Sequence, residues 1–100
     1  MTGSLLTEIE NRWQSMFTQL AAGADVPPAA RLRTEGMMEA AVILQQLDEV
    51  QLLAVMDRCY ETAFGATIAV DFGEDWRDFY PFPQIPAMGR RAPVYPSTRD

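Results

Sequence analysis

Few side chains in this sequence are of types that do chemistry. The 100 residues include no histidine and one cysteine, Cys59. Without an imidazole no Ser–His or Cys–His nucleophile pair can be assembled, and the commonest metal ligand is missing. A lone cysteine makes neither an internal disulfide nor a zinc cluster. Cys59 falls on an apolar helical row, where a thiol is inert. The carboxylates include two one-turn pairs, Glu35 with Glu39 and Asp57 with Glu61. Their places beside the apolar stripes put them toward solvent, and carboxylate metal centres recruit histidine or further inward-facing acids. No catalytic, cofactor-binding or metal-ligating residue is assigned, and the chain is read as non-enzymatic.

The most informative segment is Asp71-Phe72-Gly73-Glu74-Asp75-Trp76-Arg77-Asp78-Phe79-Tyr80, with four acids and four aromatics in ten residues. In a continuous helix Asp71/Asp75 and Glu74/Asp78 are like-charged i,i+4 pairs, which cost a few tenths of a kcal/mol each. A sequence that tolerates this repulsion can be keeping the charge for a partner, with acids meeting arginine or lysine and aromatics as anchors. The plainer account has Phe72, Trp76 and Phe79 closing the core over solvated acids. The candidate partner-binding residues are Asp71, Glu74, Asp75, Trp76, Asp78, Tyr80 and Phe82.

Three helices must position this segment. Leu6, Ile9, Trp13, Met16, Phe17 and Leu20 recur at spacings of three and four, predicting a helix over 5–22 with Ser4 as N-cap and Gly23 as terminator. Pro27–Pro28 suit the first turn of a second helix. Its expected core face is Leu32, Gly36, Ala40, Ile43 and Leu47, widened by Met37, Ala41 and Leu44. Asp48 with Gln51 has capping-box spacing, with Leu47 and Leu52 as hydrophobic staple. The third helix carries the rows Leu52, Met56, Cys59, Ala63 and Leu53, Tyr60, Phe64, and ends at Gly65. Short connections make consecutive helices antiparallel.

Over 66–80 two periods fit. Ile68, Val70 and Phe72 alternate as in a strand, while Ile68, Phe72, Trp76 and Phe79 match a helical face with Thr67 as cap. A lone strand has no partner here, which favours a short fourth helix broken at Gly73. Five of the seven prolines follow residue 80. The expected fold is all-α: a compact antiparallel bundle of three helices, or four, as a body over 1–80. An extended, polyproline-like tail over 81–100 packs on the body or on a partner.

Eight arginines and no lysine stand against 14 acids, a net charge of −6. This disfavours direct nucleic-acid binding, which needs a basic footprint, and fits a basic protein partner. Residues 1–89 hold 13 acids and 5 arginines (−8), and 90–100 hold Arg90, Arg91, Arg99 and Asp100 (+2). No basic apolar leader and no ~20-residue apolar span is visible, so no membrane partner and a cytoplasmic location are expected. The small-residue row Gly36/Ala40 permits a homodimer. No phosphate-binding loop, nucleotide fingerprint or helix-turn-helix is present.

With its acidic balance, the Asp71–Asp78 cluster and a helical body over 4–80, the chain resembles small inhibitors encoded on mobile elements such as phage. In particular it is similar to the helical anti-CRISPR proteins that act on type I surveillance complexes. The resemblance implies occupancy of a basic DNA-binding surface, with Glu74, Asp75 and Asp78 in the role of phosphates. The chain departs from the most acidic members in having arginines among its acids and a basic tail. It resembles as loosely the helical anti-activators that bind LuxR-type quorum-sensing receptors and block their dimerisation, which implies apolar contacts such as Met37, Met38 and Phe82.

Overall fold

The computed structural model describes residues 2–86, with side chains from Leu5 onward. It comprises α1 (Thr2–Ala21), α2 (Pro28–Ile43), α3 (Glu49–Phe64) and two short helices, α4 (Ile68–Phe72) and α5 (Trp76–Phe79). No strand occurs among the described residues. The helix at 66–80 is broken at Gly73, as its helical period and glycine predict.

α1 is the central element and packs on both α2 and α3, most extensively on α3. Its stripe of Ile9, Trp13, Met16, Phe17 and Leu20 is buried along its length. α3 answers with Leu52, Leu53, Val55, Met56, Cys59 and Tyr60. Each large apolar side chain removed from water contributes about 1.5–3 kcal/mol. Tyr60 is the hub of the aromatic core: its ring stands edge-on to Phe17 at 5.3 Å, stacks on Phe64 at 4.3 Å and meets Phe72 at 6.0 Å. Such pairs add about 0.5–1.5 kcal/mol each beyond burial, so one side chain ties α1, α3 and α4 together.

The helix ends follow local chemistry. Asp48 has extended backbone, and its carboxylate accepts from the Val50 and Gln51 amides at 3.0 and 3.2 Å. Gly65 closes α3 in the left-handed conformation. Pro27 is the N-cap of α2 and Pro28 its first residue. α1 begins at Thr2, so Ser4 lies inside the first turn rather than at the cap. Gln45, at φ 58, turns the chain between α2 and α3.

The structure places Ala41, Met37 and Leu47 of the expected α2 face at the core and corrects the rest of it. Thr34, Glu35, Met38 and Ala41 point inward, while Leu32, Ile43 and Leu44 are 57, 69 and 66% exposed, and Gly36 and Ala40 are exposed too. Apolar residues lie nearly all round this helix, so their period does not select a face. The inward polar groups are paired. Thr34 Oγ1 donates to the Ala30 carbonyl at 2.9 Å. Glu35 accepts from Arg31 Nη1 at 3.0 Å and from the Ile85 amide at 2.8 Å. Glu35 is therefore not a solvated surface acid, whereas Glu39 is.

The Ile85 bond joins positions 50 residues apart. Residues 81–84 make a turn, closed by the Gln84 amide on the Pro81 carbonyl at 2.8 Å with a cis Phe82–Pro83 bond. Ile85 and Pro86 then pack in the interior of the body. The tail beyond Pro86 lies outside the described residues.

Candidate partner-binding surface

Gly73 shapes this region. Its φ of 105° and ψ of 156° belong to glycine alone, and a Cβ there would meet Asp75 Oδ1 at 3.0 Å. The break places Asp71 in α4 and Asp75 at the cap of α5, so these two are not an i,i+4 pair of one continuous helix. α4 starts on two side-chain acceptors: Thr67 Oγ1 takes the Val70 amide at 3.3 Å, and Asp57 Oδ1 takes the Ile68 amide at 2.9 Å. Asp57 thus serves the fold instead of forming a solvated pair with Glu61, which is exposed.

The seven candidate residues divide into two groups. Asp71 accepts from the Tyr60 hydroxyl at 2.7 Å and is half-buried. Trp76 is buried in the core. Tyr80 packs edge-on against Phe72 at 5.6 Å, and Phe82 lies half-buried against the core. These four are used mainly by the fold, and Trp76 is withdrawn from service as an anchor. Glu74, Asp75 and Asp78 are exposed, and none is in a salt bridge among the described residues. Arg77, the one cation of residues 71–80, reaches away to Glu49 at 3.0 Å. That bridge fastens α5 to the first turn of α3, and the three acids have no ion-pair partner among the described residues.

The sequence reading missed the exposed apolar groups of this region. Phe79 is 67% and Val70 73% exposed. Phe79 stands three residues from Trp76 and was expected to share its inward face. A single turn closed at Tyr80 buries the larger ring and leaves the other outside. Asp78 precedes Phe79 directly in the chain, so an exposed acid and an exposed ring adjoin at the end of α5. Elsewhere, Met38 is fully buried and Met37 half-buried, so Met38 offers no contact to a partner.

Cys59 lines an open groove between α1 and α3 with Gln14, Thr18 and Thr62. Burial pushes its thiol above the ordinary range, and Glu10 adds to the shift. A thiol held protonated is a poor nucleophile. Among the described residues no group of three or more His, Cys, Asp or Glu is placed to hold a metal ion, and no helix is long and apolar enough to cross a membrane. No family model, curated protein or solved structure matches the chain.

Proposed function

We propose that this chain is a small non-enzymatic inhibitor of the anti-CRISPR type. It occupies a basic nucleic-acid-binding surface of a protein complex and so blocks the binding of target DNA. The observation that carries this reading is the state of Glu74, Asp75 and Asp78: exposed, without a cationic partner among the described residues, and beside a solvent-facing Phe79. Such acids suit contact with the arginines and lysines that otherwise hold phosphates. Phe79 replaces Trp76 as the aromatic that a partner meets.

The test is binding of the full chain to a purified type I surveillance complex. Glu74, Asp75 and Asp78 changed together to alanine abolish binding while the helical circular-dichroism signal is retained. Binding of the unaltered chain weakens steeply from low to high salt, because exposed charges are screened. Unchanged binding by the triple variant rejects the proposal.

A further inference from the structure

We draw no further inference here: the strongest candidate, the open groove between α1 and α3 that Cys59 lines with Gln14, Thr18 and Thr62, rests on a lone cysteine, and nothing in the structure shows what fills it.

Discussion

Glu35 shows how one side chain joins distant parts of the chain. Its carboxylate lies on the inward face of α2 and takes both the Arg31 guanidinium and the Ile85 amide. Glu35→Ala leaves that amide without its acceptor in a buried position, a cost of about 1–3 kcal/mol. Urea denaturation measures it, and Glu35→Gln, whose amide oxygen still accepts, loses less. Cys59 carries a pH signature. Its thiol is held protonated by burial, so its pKa is higher folded than unfolded. The native state then binds more protons, and stability falls as pH rises above the ordinary thiol value of about 8.5 toward the raised folded value. Below that window the contribution is fully present. Cys59→Ala removes this alkaline component, and urea midpoints taken at neutral and alkaline pH for both proteins check it.

The helices divide into those whose partners are local and one whose partners are not. α1 and α3 bury the stripes their spacing predicts, and α3 begins and ends on Asp48 and Gly65. α2 turns Leu32, Ile43 and Leu44 of its expected face outward, because Arg31 and the distant Ile85 satisfy Glu35 and Ala30 satisfies Thr34. Two glycines make the contrast measurable. Gly36 is exposed in a helix with open space around it, so Gly36→Ala raises stability by about 1 kcal/mol. Gly73 has a conformation closed to other residues and Asp75 against its Cβ position, so Gly73→Ala lowers stability by about 1–3 kcal/mol. Thermal melts of the two variants shift in opposite directions.

Considered entire, residues 2–86 share one core that runs from α1 to Ile85. The boundary expected near residue 81 marks a change of composition, while packing continues through Pro86. Ile85→Ala therefore destabilises the whole unit by about 2–5 kcal/mol. It lowers a single cooperative transition instead of releasing only the final segment, and coincident fluorescence and circular-dichroism melts distinguish the two outcomes. The surface is divided as well. The acids near α5 present charge, and the α2 face presents aliphatic side chains.

Apart from the start of α1, which lies before the expected Ser4 cap, helix positions, caps and breaks were legible in the residues because each depends on neighbours within a turn: Asp48 on the next amides, Gly65 and Gly73 on their own backbone angles. The acids of 71–78 were legible as a cluster for the same reason. Which of them remain exposed was not, because Asp71 is claimed by Tyr60 eleven residues away and Arg77 by Glu49 twenty-eight residues away. The inward turn of Trp76 rather than Phe79, the burial of Glu35 and the outward face of α2 were likewise decided only by tertiary packing. When a helix is apolar nearly all round, or a one-turn helix offers two rings to the same core, local periodicity is degenerate. The choice then falls to whichever arrangement pairs the buried polar groups with partners far along the chain.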